Sequence, residues 1–527
     1  MEYVKQIIIS GFKKFESFKM DFHDKTNIIV GENESGKSTV LEAICVVLHQ
    51  WYRNSDKSII KDLLNIEITN RFIKAPSVQT LPQIRIELEL QLNETNKNAR
   101  RFYGTYGTIR KSDTFGIVYE CRLSDEYDSE IETEIMQGKI PYEYYSMSWR
   151  TFHGDPYSLL LKPFKAILVD PIQYDGSTAF SSFSKNLFNE KYDEGIKARA
   201  RYDFREKTNQ ALEELGLEPL SEEQKFGISN KKLILDNLVS VLDNAIPLEN
   251  KGRGMEHIIK TRIALKKAKS QLSLVLIEEP ENHLSYTTLL RMIKNIEESI
   301  DHNQLIITTH NNLIASRLNL RNVLWIDKGK ANSLKDVDTK IADYFMKADN
   351  NNFLNLLLAE KIILVEGAAE FIILPFLFKQ VYGRAIEEEN ITIISCNGLA
   401  FKNYLGIAEK AEKRVAVVTD NDNKADRIKT ATKYNADHSK QHIFMAEDLN
   451  DWTWEVVLYN LNKDTLDKTL PFRKGSKYSF CKVPYDDKPV LGIMLNNKAA
   501  VAYKLVTENT NINIPQYVKD AFEWVRK

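Results

Sequence analysis

The sequence lacks the features that mark several protein classes. Its four cysteines, Cys45, Cys121, Cys396 and Cys481, show no C-x-x-C spacing, which argues against a zinc site or a disulfide framework. The amino terminus has no apolar signal-peptide block, and the apolar runs are interrupted and too short to cross a bilayer. These absences predict a soluble protein of the reducing cytoplasm that does not enter a membrane.

An excess of charge of either sign is also missing. The 527 residues include 72 Lys and Arg against 73 Asp and Glu, and the formal net charge is -1. Any binding to DNA must therefore come from local basic stripes rather than from a global positive field. Candidate stripes, each of which could equally be an exposed helix face, are Lys266, Lys267 and Lys269, and Lys424, Arg427, Lys429 and Lys433.

The length exceeds what one core usually organises, and the pattern of the chain predicts two α/β units. Three strand-like runs lead into a glycine loop and a helix, and residues 83–123 alternate like antiparallel strands. Residues 181–246 are charged and helix-favouring, which predicts a helical arm that could mediate dimerisation. We expect a first domain over residues 1–350 and a second, Rossmann-like domain over residues 351–527.

The loop at residues 31–38 has the pattern G-x-x-x-x-G-K-S between a strand and a helix. Glycines let the backbone turn its N–H groups towards phosphate oxygens, and the following helix presents its positive end. The lysine should reach the β- and γ-phosphates, and the serine should ligate magnesium. The residues expected to hold ATP and its Mg²⁺ here are Gly31, Asn33, Gly36, Lys37, Ser38 and Thr39.

A second nucleotide element is an apolar strand that ends in Glu278 and Glu279. Such a strand places one carboxylate near the metal and the next where it can orient water, so Glu279 is the candidate base. A further apolar strand ends close to His310, a candidate γ-phosphate sensor. Together these elements resemble ATP-binding-cassette ATPases of the structural-maintenance-of-chromosomes and recombination-mediator type. The resemblance implies that Gly254 belongs to a degenerate signature loop, although a plain loop is an equal alternative.

The second half contains acidic residues at predicted strand ends. Glu366 follows the strand 362–365, Glu370 lies one helical turn onward, and Asp420 and Asp422 follow the strand 415–419. Carboxyl ends of parallel strands meet at one sheet edge, and carboxylate oxygens suit Mg²⁺ or Mn²⁺. The pattern E-G-x-x-E with D-x-D resembles the Toprim fold of topoisomerases, primases and several nucleases, and Asn397-Gly398 fits the turn between its two acidic motifs.

An ATP-binding-cassette domain followed by Toprim resembles the overcoming-lysogenization-defect (OLD) nucleases, which include Gabija-type anti-phage nucleases. The resemblance implies that Glu366, Glu370, Asp420, Asp422 and Glu455 are metal ligands and that Lys498 offsets charge on the phosphate. It also implies two-metal hydrolysis of DNA under ATP control, in antiviral defence. Expected partners are DNA and further copies of the same chain, in a homodimer or a homotetramer. A partner defence subunit, such as a helicase, a reverse transcriptase or an RNA, is also expected. Two alternatives stay open: an ATP-gated scaffold with a dormant site, and a topoisomerase or primase.

Overall fold

The computed structural model describes residues 2–93, 95–106, 108–109, 112–126, 129–159, 162–169, 183–216, 235–268, 273–298, 303–348, 352–396, 398, 401–473 and 477–527. The chain divides into two compact units. Unit 1 comprises residues 1–310 and 324–332, and unit 2 comprises residues 311–323 and 333–527. The described parts contain no helix that is both long and apolar enough to cross a membrane.

The strands are β1 (Tyr3–Phe12), β2 (Phe15–Asp21), β3 (Thr26–Gly31), β4 (Ile84–Gln91), β5 (Tyr103–Gly104), β6 (Thr114–Leu123), β7 (Tyr145–Thr151), β8 (Ala166–Val169), β9 (Leu242–Asp243), β10 (Ile246–Pro247), β11 (Leu274–Glu278), β12 (Gln304–Thr308), β13 (Val323–Asp327), β14 (Lys330–Ser333), β15 (Lys361–Val365), β16 (Ile391–Ser395), β17 (Arg414–Val418), β18 (Gln441–Phe444), β19 (Ser479–Phe480) and β20 (Val483–Pro484).

The α-helices are α1 (Lys37–His49), α2 (Ile60–Leu63), α3 (Ile66–Lys74), α4 (Ser129–Met136), α5 (Phe183–Lys191), α6 (Glu194–Glu214), α7 (Leu235–Leu238), α8 (Arg253–Ala268), α9 (Tyr286–Glu297), α10 (Asn312–Arg317), α11 (Thr339–Lys347), α12 (Phe353–Leu358), α13 (Ala368–Tyr382), α14 (Phe401–Lys410), α15 (Ala425–Asp437), α16 (Trp454–Thr469), α17 (Pro489–Asn496), α18 (Lys498–Thr507) and α19 (Gln516–Arg526).

Two six-stranded sheets organise unit 1. The first is antiparallel in the order β2-β1-β4-β6-β5, with β7 paired to β6, and the second has the order β14-β13-β3-β12-β11-β8. Strands β8, β11, β12 and β3 run parallel, and β3 is buried along its whole length, including its polar residues Thr26 and Asn27. The buried amide of Gln304 joins the two sheets, because it bonds the backbone N–H and C=O of Val4 at 2.8 Å each. The strand β3 therefore lies within a packed core, and the glycine loop begins at its end.

Unit 2 contains a four-stranded parallel sheet in the order β16-β15-β17-β18. Helices α13, α16, α18 and α19 contribute buried side chains to its main core. The predicted division at residue 350 differs from the compact units, in which helix α11 belongs to unit 2. The reason is aromatic packing, since the ring of Phe345 contacts Phe353 and Tyr404 with centroid distances of 6.0 Å and 5.0 Å.

Some predicted features lie wholly or partly outside the described residues. These are the end of the strand at Asp170, part of the arm at 217–234, Lys269, Asn397 and the side chain of Lys267. The described parts of the arm are mainly helical and include α6, a largely exposed helix of 21 residues. A contact role for this arm stays a prediction.

Candidate functional site

The nucleotide loop of unit 1 follows β3 and ends at the first turn of α1. Lys37 is 5% exposed, and its ammonium donates to the carbonyls of Gly31 at 2.9 Å and Glu32 at 2.8 Å. Burial lowers the pKa of Lys37, while Glu279, Glu281 and Glu278 act in the opposite direction. The lysine is thus held against the backbone of the loop, and its role as a phosphate-binding cation stays a prediction.

Gly36 shows why the loop needs a glycine before the helix. Its φ of 103° lies in the left-handed region, and a Cβ built on it would lie 2.4 Å from the ring of Phe15. A larger residue would therefore be strained by its backbone and would also clash with a buried ring. The compact turn that results leaves the N-terminus of α1 open towards an adjoining cleft.

That cleft has a volume of about 840 Å³. The predicted residues that line it are Asn33, Gly36, Lys37, Ser38, Thr39 and Glu279. Gly31 ends β3 and binds Lys37, and Gly254, the second residue of α8, packs against the carbonyl of His283. The role of Gly254 as a signature glycine stays a prediction.

Three acidic residues and a histidine stand beside this loop, at the ends of β11 and β12. Glu278 is the last residue of β11 and pairs in register with Thr308 of β12. His310 Nδ1 lies 3.5 Å from carboxylate oxygens of both Glu279 and Glu281, and Glu281 also accepts the backbone N–H of His310 at 3.0 Å. The predicted base and the predicted sensor are therefore in direct contact. Their roles as base and γ-phosphate sensor stay predictions.

In unit 2, acidic residues emerge from neighbouring parallel strands. Val365 of β15 pairs in register with Val418 of β17, so Glu366 and Thr419 follow side by side. The hydroxyl of Thr419 donates to Glu366 Oε2 at 3.0 Å. Glu370 lies in the first turn of α13, directly after β15, and is 7% exposed. Gly398, with a φ of 102°, donates its N–H to the carbonyl of Glu366 at 2.8 Å.

A hydrogen-bond network joins Asp420 to Glu455 and Lys498, the two predicted site residues that lie later in the chain. The hydroxyl of Thr453 lies 2.6 Å from Asp420 Oδ2 and 2.9 Å from Glu455 Oε2. Asp420 Oδ1 also accepts the N–H of Trp454 at 2.9 Å, at the N-terminus of α16. Lys498, the first residue of α18, donates to Glu455 at 2.7 Å and to Thr453 at 3.2 Å. Strand and helix ends that are far apart in sequence therefore meet at one place.

The electrostatics of this cluster are unusual for carboxyl groups. Burial raises the pKa of Glu370 to about 7, with further upward contributions from Asp420 and Glu455. Burial likewise raises the pKa of Asp420 to about 6, although its bond from Thr453 opposes the change. Burial lowers the pKa of Lys498, but Glu455, Asp420 and Glu370 outweigh this effect, so the pKa is raised overall. Acids this close and this buried are costly to ionise without a cation nearby.

Asp422 differs from the other predicted ligands. Its carboxylate forms an ion pair with Arg427, whose guanidinium also donates to Thr419 at 3.2 Å. Arg427 was considered above as a DNA-contacting residue. Its guanidinium instead points towards the acidic cluster, where it pairs with Asp422. Among the described residues no three His, Cys, Asp or Glu side chains form a ready-made metal cluster. The five predicted acids therefore do not all meet at one point. Glu370, Asp420 and Glu455 lie nearest to one another.

Sequence reasoning missed several residues that shape this cluster. Thr453 lies between the carboxylates of Asp420 and Glu455, and Thr419 donates to Glu366, yet a threonine at a strand end or before a helix carries no distinctive signal. Asn421 is fully buried, and its amide donates to the carbonyls of Ala446 at 2.9 Å and Asp448 at 3.0 Å, which fixes the neighbouring loop. Tyr517 of α19 also lies near the acids, and burial raises the pKa of its phenol. The D-x-D pattern pointed to the two aspartates that flank Asn421 and assigned no role to Asn421 itself.

The donor set fits a divalent metal such as Mg²⁺ or Mn²⁺. Hard carboxylate oxygens are what these ions prefer, and a cation would relieve the cost of ionising Glu370 and Asp420. Glu455 could join them once Lys498 releases it, and Asp422 once Arg427 releases it. The residues are therefore chemically suited to the group, although two of them are engaged in ion pairs.

Comparison with known proteins agrees with both halves of this description. The family described as AAA ATPase domain matches residues 3–315. The chain belongs to the AAA ATPase domain family. The family described as overcoming lysogenization defect protein-like, TOPRIM domain, matches residues 357–422, which include four of the predicted metal ligands. The resemblance to OLD-type ATPase–Toprim proteins and the predicted fold class are confirmed, and the matches support a nuclease enzyme.

Individual relatives follow the same pattern. Endonuclease GajA of Bacillus cereus (strain VD045) is 22% identical over 457 residues, 80% of this chain and 75% of that protein. An ATP/GTP phosphatase of Helicobacter pylori is 23% identical over 345 residues, 58% of this chain and 85% of that protein. The solved C-terminal region of the Xanthomonas campestris OLD protein is 21% identical, covers 32% of this chain and 92% of its own, and has a TM-score of 0.24. The assignment rests on the family matches, since that score is low.

Proposed function

We propose that this protein of the AAA ATPase domain family is an ATP-regulated DNA endonuclease that depends on a divalent metal. The observation that carries the proposal is the cluster of Glu370, Asp420 and Glu455 with Lys498 at the carboxyl edge of a parallel sheet. Open α/β sheets bind ligands at this edge. The similarity to a protein named Endonuclease GajA, which spans most of both chains, supports the same activity.

In this proposal the carboxylates would hold Mg²⁺ or Mn²⁺, and the DNA phosphate would bind at the same cluster. A bound metal would supply an activated water and would stabilise the leaving oxygen. Thr453 keeps Asp420 and Glu455 at a fixed spacing, because its hydroxyl lies within hydrogen-bond distance of both. Lys498 keeps its charge near neutral pH and would neutralise the phosphate that enters the cluster.

The nucleotide loop would regulate this activity. Lys37 with Ser38 and Thr39 would bind the phosphates and magnesium of ATP, and Glu279 beside His310 would position water for hydrolysis. In ATPases of this type two copies enclose ATP, so we infer a homodimer or homotetramer. The location in the cytoplasm, a role in antiviral defence and a partner such as a helicase, a reverse transcriptase or an RNA rest on the family resemblance and belong to the same proposal.

A second candidate is a scaffold whose nuclease is dormant until a partner binds. The ion pair between Asp422 and Arg427 favours it, because an engaged carboxylate is not available to a metal. No comparable observation favours a topoisomerase or a primase.

The test is a plasmid-nicking assay with Mg²⁺ or Mn²⁺, with and without ATP. We expect the wild type to convert supercoiled plasmid to nicked or linear DNA, and Asp420→Ala to lose this activity. Glu387→Ala, at an exposed position of unit 2, is the matched control and should cut like the wild type. Equal cutting by wild type and Asp420→Ala would overturn the proposed nuclease, and cutting by the wild type only after a partner is added would favour the dormant scaffold.

A further inference from the structure

A second concave region of unit 1 lies at the C-terminal end of α1. It has a volume of about 370 Å³ and is lined by the cations Arg53, Lys57 and Arg150. We propose that this basic cleft binds phosphates of the DNA backbone in a duplex. The inference rests on the proposed function, because it assumes that DNA is the substrate.

The three cations have neutral partners. Arg53 donates to Gln50 Oε1 at 2.6 Å, Lys57 donates to the carbonyl of Tyr145 at 2.6 Å, and Arg150 approaches a carbonyl at 3.5 Å. Within the described residues none of the three forms an ion pair with a carboxylate, and no Asp or Glu lines the cleft. A chain with a net charge of -1 thus concentrates uncompensated positive charge in one concavity. Phosphate oxygens are the natural complement.

The cleft is held in shape by buried polar groups. Gln50 is 5% exposed, and its amide donates to the carbonyl of Tyr157 at 2.7 Å while its oxygen orients Arg53. The residues Ser55 and Ser148 line the same cleft and add hydroxyl donors. Gln50 thus orients Arg53, one of the three cations, before an anion enters, which lowers the ordering cost of binding.

The aromatic residues of the cleft indicate which part of DNA it fits. Trp149 and Tyr157 are 6% and 4% exposed. Their polar atoms are occupied, since the indole N–H donates to the carbonyl of Val46 at 2.8 Å and the phenol donates to that of Leu48 at 2.9 Å. Proteins that bind single strands expose aromatic faces on which bases stack. These two rings offer no such face, so recognition of a duplex backbone is favoured over recognition of bases.

The cleft is separate from the nucleotide loop. The loop meets the N-terminus of α1, and the cleft adjoins Gln50, which follows the last residue of the same helix. A helix of 13 residues is roughly 20 Å long. No glycine lines the cleft, so it lacks the glycine loop that holds nucleotide phosphates.

The experiment measures duplex DNA affinity of the full chain in EDTA, which prevents metal-dependent cleavage, over a range of salt concentrations. The double variant Arg53→Gln/Arg150→Gln should weaken binding about tenfold to a hundredfold near 0.1 M salt. It should also reduce the slope of log affinity against log salt by about 2, since each lost phosphate contact removes about one. Arg53→Lys/Arg150→Lys keeps the charge and should retain most of the slope. Lys57 is not substituted, because its ammonium donates a hydrogen bond to the backbone carbonyl of Tyr145 and its loss could alter the fold there.

The matched control is Lys19→Gln/Lys74→Gln, which removes two charges from exposed positions of unit 1. An equal loss of affinity in this control would show a general charge effect and overturn the proposal, as would an unchanged salt slope in the arginine variant. Stabilisation by inorganic phosphate that the arginine variant loses, with unchanged DNA affinity in that variant, would assign the cleft to a small anion and also overturn the proposal. If the wild type binds no DNA at all, the proposed function fails instead.

Discussion

Replacing Glu370 by glutamine tests the electrostatics of the acidic cluster. The pKa of Glu370 is raised from 4.5 to about 7 by burial and by Asp420 and Glu455. A carboxyl group with a raised folded-state pKa carries no penalty below about pH 4.5, where it is protonated in both the folded and the unfolded protein. Stability is then lost as the pH rises from 4.5 through 7, because the unfolded chain gives up its proton more easily. The metal-free wild type should therefore be less stable at pH 8 than at pH 5.

The size of the effect follows from the same two values. The interval between 4.5 and about 7, at about 1.4 kcal/mol for each pH unit, corresponds to about 3.5 kcal/mol at pH 8. Glu370→Gln removes the charge while keeping the shape of the side chain. In EDTA the variant should gain about 2.5 kcal/mol relative to wild type between pH 5 and pH 8, because a small part of the penalty is already present at pH 5. Added Mg²⁺ at pH 8 should stabilise the wild type and should have much less effect on the variant.

The assay is urea unfolding followed by tryptophan fluorescence, at both pH values, with and without Mg²⁺. Glu387→Gln serves as the control because Glu387 is exposed in the same unit, and it should match the wild type under all conditions. An absence of any relative gain by Glu370→Gln between pH 5 and pH 8 would contradict the raised pKa of Glu370. Equal stabilisation of the variant and the wild type by Mg²⁺ would contradict a role of Glu370 in metal binding.

Three further variants have defined outcomes. Lys37→Ala should lose at least tenfold in ATP affinity, measured by fluorescent-nucleotide titration, because it removes the buried cation of the loop; unchanged affinity would contradict the phosphate assignment. Gly36→Ala should lower stability by about 1–3 kcal/mol in thermal unfolding, given its φ and the clash with Phe15, and a neutral result would oppose this. Arg427→Gln should lower the Mg²⁺ concentration for half-maximal nicking by freeing Asp422; a higher requirement would instead indicate that Arg427 supports the site.

The local parts of both sites could be predicted from the sequence. A glycine loop between a strand and a helix is defined within residues 31–38, and the acids at 366, 370 and 420 follow apolar runs that form β15 and β17. Their meeting at one sheet edge follows from parallel pairing. The register itself, which sets Glu366 beside Thr419, depends on tertiary packing.

Side-chain partners could not be read from spacing. Arg427 is one of several basic residues on α15, and only the folded chain shows that it turns to Asp422. Thr453 lies between two carboxylates because α16 begins beside the end of β17, a long-range relation with no local pattern. The placement of α11 in unit 2 depends on ring packing around Phe345, which the charged stretch before residue 350 does not indicate.

The most direct measurement is anomalous diffraction from crystals of the protein soaked with Mn²⁺. We propose that acids from separate stretches of unit 2 hold a divalent metal together. We predict a strong anomalous peak within coordination distance of Glu370 and Asp420. The ammonium of Lys498 should then have left Glu455, or Glu455 should bind both the metal and Lys498. Crystals that show no peak there, with the bond between Lys498 and Glu455 intact at saturating Mn²⁺, would contradict the account.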